Sequence, residues 1–174
     1  MPLPFDDIDA IILDHLQAQG RMTRSRLAAI VGRSVPAVSA RMRRLEEEGI
    51  ITGFHAALDF RRLGQATTAF CWVTLRGKRD AVPFREFALG HQDVLEVHAV
   101  TEATVHVVKL RCQDPSTLQQ TVDALSDWPG VRRVLTCVVD ETYKETRRIP
   151  IPLGGDGVAG TARSFPVARN GDDL

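Results

Sequence analysis

Two different repeats of apolar residues divide the chain. From Asp6 to about Gly53 apolar side chains return every three or four positions, the spacing of an amphipathic helix. Ile8, Ile12 and Leu16, with Ile11 beside them, form a first stripe, with Asp6 or Asp7 as its cap and Gly20 as its stop. Leu27, Ile30 and Val31 form a second stripe behind Thr23, another cap residue, and Gly32 then supplies a tight turn. Ser34 caps a third helix with Pro36 in its first turn, where a missing N–H does no harm. In that helix Val38, Met42 and Leu45 share one face, while Pro36, Ser39, Ala40, Arg43 and Arg44 project on the other.

The repeat changes after "HAALDFRRLGQ" (55–65), a linking stretch. "ATTAFCWVTL" (66–75), "DVLEVHAV" (93–100), "TVHVVKLRC" (104–112) and "VRRVLTCVVD" (131–140) are rich in β-branched and aromatic residues and read as strands. A helix opened by Asp80 and Pro83, with Phe84, Phe87 and Ala88 inward, separates the first two. Another, from Asp114-Pro115 to Pro129-Gly130 with the stripe Leu118, Val122 and Leu125, separates the last two. The order β-α-β-β-α-β is the ferredoxin-like motif, so the whole chain is predicted to be α+β. Helices cover one face of such a sheet. Phe70 or Trp72 on the other would favour dimerisation.

Charge changes the picture only locally. The formal net charge is zero, so no global field draws the chain to a polyanion. Yet residues 21–44 hold seven arginines (Arg21, Arg24, Arg26, Arg33, Arg41, Arg43, Arg44) and no acid, while Glu46, Glu47 and Glu48 follow behind. Arginine at the front of a helix and glutamate at its end oppose the helix dipole. Such an order suits a polyanion at the helix front. A helix-turn-helix uses that end in the DNA major groove, where arginines fix register on phosphates and small residues such as Ser39 and Ala40 allow close approach to base edges. The alternative is an ordinary solvated face.

Other signals exclude more than they add. The acidic start "MPLPFDDIDA" is unlike a signal peptide, and no apolar run reaches membrane-spanning length, so the cytoplasm is the expected compartment. Cys71, Cys112 and Cys137 are odd in number, widely spaced and without a CxxC pair, so buried thiols are expected and no metal site.

The succession from Asp6 to Asp59 resembles the DNA-binding half of the Lrp/AsnC (feast/famine) transcriptional regulators. The matching features include Asp9 before Ile12-Leu13, Gly20-Arg21, Leu27-Ala28 and Val31-Gly32. Arg41, Arg44-Leu45-Glu46, Gly49-Ile50-Ile51, Gly53-Phe54 and Leu58-Asp59 continue them. The resemblance extends in layout to about residue 150. It implies a winged helix-turn-helix domain (1–54), a linker (55–65), a ferredoxin-like dimerisation and effector domain (66–150) and a flexible tail (151–174). The DNA-binding residues expected are Arg24, Arg33, Ser34, Pro36, Ser39, Ala40, Arg43 and Arg44. Expected partners are double-stranded DNA, a second copy of the chain, higher homo-oligomers and a small-molecule effector, with no membrane and no cofactor.

Typical members of this family carry Gly-Asp-Phe/Tyr-Asp at the turn between the second and third strands, near the effector site. Here Glu102, Ala103, Thr104 and Val105 occupy those positions, so the glycine, the aromatic and both carboxylates are lost together. An atypical or absent amino-acid site is therefore expected. A literal GxGxxG at Gly155, Gly157 and Gly160 lacks the strand and helix that a dinucleotide site needs. His98 and His106 lie on neighbouring strands, but their faces depend on the turn. No catalytic motif is present. The rival readings are a small dimeric oxygenase-type enzyme of ferredoxin-like fold and an RNA-recognition domain, and "TVHVVKLRC" lacks the stacking aromatics of the latter.

Overall fold

The computed structural model describes residues 4–153. The described residues form two units, the first ending at Ala56 and taking in residues 146–153, the second spanning Ala57–Glu145. In the first unit α1 (Asp7–Ala18), α2 (Arg24–Val31) and α3 (Val35–Glu47) each begin at a side-chain cap. Asp6 accepts from the Asp9 N–H at 2.9 Å and Asp9 answers by accepting from the Asp6 N–H, a capping box with a carboxylate at both ends. Thr23 and Ser34 cap the other two helices. Ile12, Leu16, Leu27, Ala28, Val38 and Met42 form the core where the three helices meet. Ile11 and Ile30, expected inward, are instead substantially exposed, because each lies one position off the buried stripe of its helix.

The first unit also holds a stretch that apolar periodicity does not reveal. The Gln17 side chain exchanges hydrogen bonds with the backbone of Ile149, and Arg148 Nη2 donates to Asp14 Oδ1 at 2.8 Å. The bonds that return 146–149 to α1 are polar and leave no stripe in the sequence. Of the expected tail only residues 151–153 are described, so the remainder, with Gly155, Gly157 and Gly160, lies outside the described residues.

The second unit contains β1 (Thr67–Leu75), a short 3-10 turn at Lys78–Asp80, α4 (Ala81–Leu89), β2 (Val94–Ala99), β3 (Val105–Cys112), α5 (Pro115–Asp127) and β4 (Val131–Val138). The strands form one antiparallel sheet in the order β2-β3-β1-β4, the ferredoxin-like arrangement. Alternate residues of the two central strands, Ala69, Cys71, Val73 and Leu75 with Val108, Leu110 and Cys112, pack under Phe84, Ala88, Leu118 and Leu125 of the helices. Trp128 stacks beside Phe87 and meets Phe84 edge-on. Gly130 is needed there, since a Cβ at that position would lie 1.8 Å from the Trp128 ring. The opposite face of the sheet carries Phe70, Trp72, Val107, Lys109, Arg111 and Leu135. Cys137 also lies on this outer side, paired with Phe70, and is exposed; strand alternation separates it from the buried Cys71 and Cys112.

Candidate nucleic-acid interface

The α2–turn–α3 geometry follows from three residues. Gly32 adopts the left-handed conformation (φ 63°), and its N–H and that of Arg33 turn back to α2, the latter reaching Ala28 O at 3.0 Å. Ser34 accepts from the Ala37 N–H, and Pro36 follows in the first turn without forfeiting a helical bond. Val38, Met42 and Leu45 anchor one face of α3 in the core. Pro36, Ala40, Arg43 and Arg44 are left exposed and Ser39 partly so.

The arginines of the basic window divide into two groups. Arg24, Arg26 and Arg43 are exposed and make no ion pair among the described residues, and Arg33 donates only to the neighbouring Gly32 carbonyl. Arg41 and Arg44 are held from within. Arg41 Nη1 donates to Asp6 Oδ2 at 2.8 Å and to Asp9 Oδ1 at 2.9 Å, and Arg44 Nη2 donates to Asp9 Oδ2. Asp9 is fully buried. The Asp9 backbone N–H, with the Arg41 guanidinium adding to it, holds the Asp6 carboxyl below its ordinary range. Hydrogen bonds to Asp9 and then Asp6 raise Arg41 above its own. Arg44, predicted to face DNA, therefore has part of its guanidinium turned inward. The sequence signal for this network was an acid recurring three positions after a capping acid, on the buried side of α1.

In the second unit the turn aligned with the effector position is self-contained. The Val105 N–H closes it on Glu102 O at 2.9 Å, and Thr104 O accepts from the Leu75 N–H at 2.8 Å. Glu102 and Ala103 are exposed, and Glu102 is the one carboxylate of the four residues. His98 pairs with Val107 and His106 with Ala99, so the two imidazoles point to opposite faces and form no common site. His106 packs edge-on against Phe84, and burial pushes its pKa down. Among the described residues no group of three or more His, Cys, Asp or Glu could hold a metal ion, and no helix is long and apolar enough to cross a membrane.

Comparison with known proteins decides between the readings. Residues 5–52 match the model of winged helix-turn-helix DNA-binding domains, and residues 68–149 match the Lrp/AsnC ligand-binding domain. The chain belongs to the Lrp/AsnC family. It is 36% identical to the uncharacterized transcriptional regulator YezC of Bacillus subtilis over 118 residues, 68% of this chain and 83% of that protein. It is 34% identical to the leucine-responsive regulatory protein of Escherichia coli over 151 residues, covering 84% and 91% of the two chains. Among solved structures, the regulator NMB0573 of Neisseria meningitidis in complex with L-Met superposes with a TM-score of 0.79 at 26% identity, over 84% of this chain and 96% of that one. As an Lrp/AsnC protein the chain is a DNA-binding transcriptional regulator and not an enzyme, which removes the oxygenase alternative.

Proposed function

We propose that this regulator reads double-stranded DNA in the cytoplasm through the front of α3, as a dimer or larger assembly, without the amino-acid response of the common type. The observation that carries the reading is the division of arginines. Arg41 and Arg44 brace α3 against Asp9, which leaves Arg24, Arg33 and Arg43 unneutralised around the exposed Ser34, Pro36, Ser39 and Ala40. Unneutralised guanidiniums suit phosphate contact, and the small residues suit close approach to bases. Arg44 contributes to DNA with whatever of its fork Asp9 leaves over.

Dimerisation is supported by the outer sheet face, where Trp72 is 40% and Leu135 47% exposed on adjacent strands in direct register. A two-fold protein calls for a roughly palindromic site with half-sites one or more helical turns apart. Footprinting on the DNA upstream of the protein's own gene tests this. A single unpaired half-site would count against it. At the turn, Thr104 and Val105 replace the aromatic and a carboxylate that the family resemblance implies, so binding of the standard amino acids through Glu102–Val105 is not expected. Calorimetry with those amino acids tests this; binding abolished by Glu102→Gln or Thr104→Val would overturn it.

A further inference from the structure

At the corner where the start of α1 meets the flank of α3, Asp6, Ala40, Arg41 and Arg44 line an open cavity of about 310 Å³. Ala40 and Arg44 also belong to the exposed face of α3, so the cavity borders the surface assigned to DNA. Arg41 is not among the residues that the helical projection puts on that surface.

Two carboxylates hold the arginines there, and they differ in kind. Asp9 is fully buried and accepts from Arg41 Nη1 at 2.9 Å and from Arg44 Nη2, so giving up either bond would strand a buried charge. Asp6 is 53% exposed and accepts from the same Arg41 nitrogen at 2.8 Å through Oδ2. An exposed pair of this kind adds little stability, because water competes for both partners. The Asp6–Arg41 bond is therefore the exchangeable one. A guanidinium has more N–H donors than these bonds use, and the rest of those on Arg41 and Arg44 find no acceptor among the described residues.

The acceptor that fits is a phosphate oxygen of the DNA backbone. A phosphodiester matches a guanidinium as a carboxylate does. A free anion would be weakly attracted, since the carboxylates of Asp6 and Asp9 offset the charges of Arg41 and Arg44. A phosphate carried in by a duplex already seated against Ser39 and Arg43 meets the site at high effective concentration. We infer that the cavity seats a DNA backbone phosphate between Arg41 and Arg44, and that Asp6 holds the phosphate's place on Arg41 in the free protein. Asp9 is then a positioning residue for both arginines, and Asp6 a competitor that lowers affinity for any duplex. This seat rests on the DNA-binding reading above and adds to it a contact beside the front of α3.

Asp6→Asn tests the seat. Asparagine keeps the cap, since its Oδ1 still accepts from the Asp9 N–H, but its amide nitrogen cannot accept from Arg41. Equilibrium binding of the full chain to duplex DNA across a salt series should show affinity raised about two- to fivefold. The gain should be equal on the footprinted site and on unrelated duplex, because phosphates carry no sequence information. The logarithmic salt slope should steepen, by about 0.9 for one further phosphate neutralised. Glu47→Gln, which removes one charge from α3 outside the cavity, should raise affinity less. In an Arg41→Gln background Asp6→Asn should do no more than Glu47→Gln does. If Arg41→Gln fails to fold, the contrast between Asp6→Asn and Glu47→Gln decides. The proposal is overturned if Asp6→Asn binds like the wild type, if Glu47→Gln matches its gain, or if the full gain survives without Arg41. It is equally overturned if inorganic phosphate at constant ionic strength raises the melting temperature through Arg41 while Asp6→Asn leaves DNA affinity unchanged, for then the cavity takes a free anion. Weakened binding in Arg43→Ala and Ser39→Glu, with no gain from Asp6→Asn, would remove the phosphate seat alone and leave the α3 reading standing.

Discussion

Replacing Asp9 with alanine removes a fully buried carboxylate that joins α1 to α3. Two charge-assisted bonds are lost, from Arg41 Nη1 at 2.9 Å and from Arg44 Nη2, together with the cap accepted from the Asp6 N–H at 3.2 Å. Bonds to charged groups contribute about 1.5–3 kcal/mol each when both partners are buried. Here the arginine side chains are 27% and 45% exposed and can be rehydrated, and Arg41 keeps Asp6, so the lower end applies. Removing the buried charge also relieves its desolvation. A net loss of about 2–3 kcal/mol follows, or roughly 8–24 °C in melting temperature for a helical unit of this size. Thermal melting followed by helical circular dichroism measures it. Asp9→Asn, which keeps the cap and the shape, should lose about half as much, and Asp9→Ala with Arg44→Ala should lose less than the two changes summed. A melt of Asp9→Ala within about 2 °C of wild type would refute the bracing role of Asp9.

Gly130→Ala should destabilise the second unit by about 1–3 kcal/mol in a denaturant titration, because the new Cβ lands on the Trp128 ring. Acid should destabilise the same unit in a defined window. Hydrogen bonds from Lys109 and then Arg111 hold Glu145 below its ordinary 4.5, and bonds from His98 and then Lys109 do the same for Glu96. Lowered carboxylates stabilise fully above 4.5 and lose that contribution as pH falls through their folded values, so the part of the acid decline that Glu145→Gln removes should lie below about pH 4.5, while burial of neutral His106 adds a loss that begins below its ordinary 6.5. Trp72→Glu should convert the assembly to monomers in light scattering if the outer sheet face is the interface.

How far the chain could be read in advance followed from the kind of interaction involved. Apolar repeats and caps mark local, periodic requirements, so Thr23, Ser34 and Asp114 cap their helices as expected and the six elements of the second unit stand in the expected order. Long-range polar contacts leave no period. Asp9 bonds to residues 32 and 35 positions away, and Gln17 to one 132 positions away; the acid three positions after the Asp6 cap marks Asp9 as unusual, but its spacing does not identify Arg41 and Arg44 as its partners. The same applies to Arg111. Its place on the outer face is implied by strand alternation in "VHVVKLRC", but its enclosure by Phe60 and Glu145 depends on how two irregular stretches run. Cys137 shows the limit of composition: its neighbours are apolar, yet it faces the side of the sheet that the helices do not cover.

The most direct test of the central claim, that the front of α3 carries DNA recognition, is equilibrium binding to footprinted DNA across a series of salt concentrations. Wild type, Arg43→Ala and Ser39→Glu should be compared on that site and on unrelated duplex. Each lost phosphate contact should reduce the logarithmic salt slope by about 0.9. The account predicts weaker binding and a shallower slope for Arg43→Ala, and a larger loss for Ser39→Glu, which puts a carboxylate into the groove. Wild-type affinity and slope in both variants would contradict it.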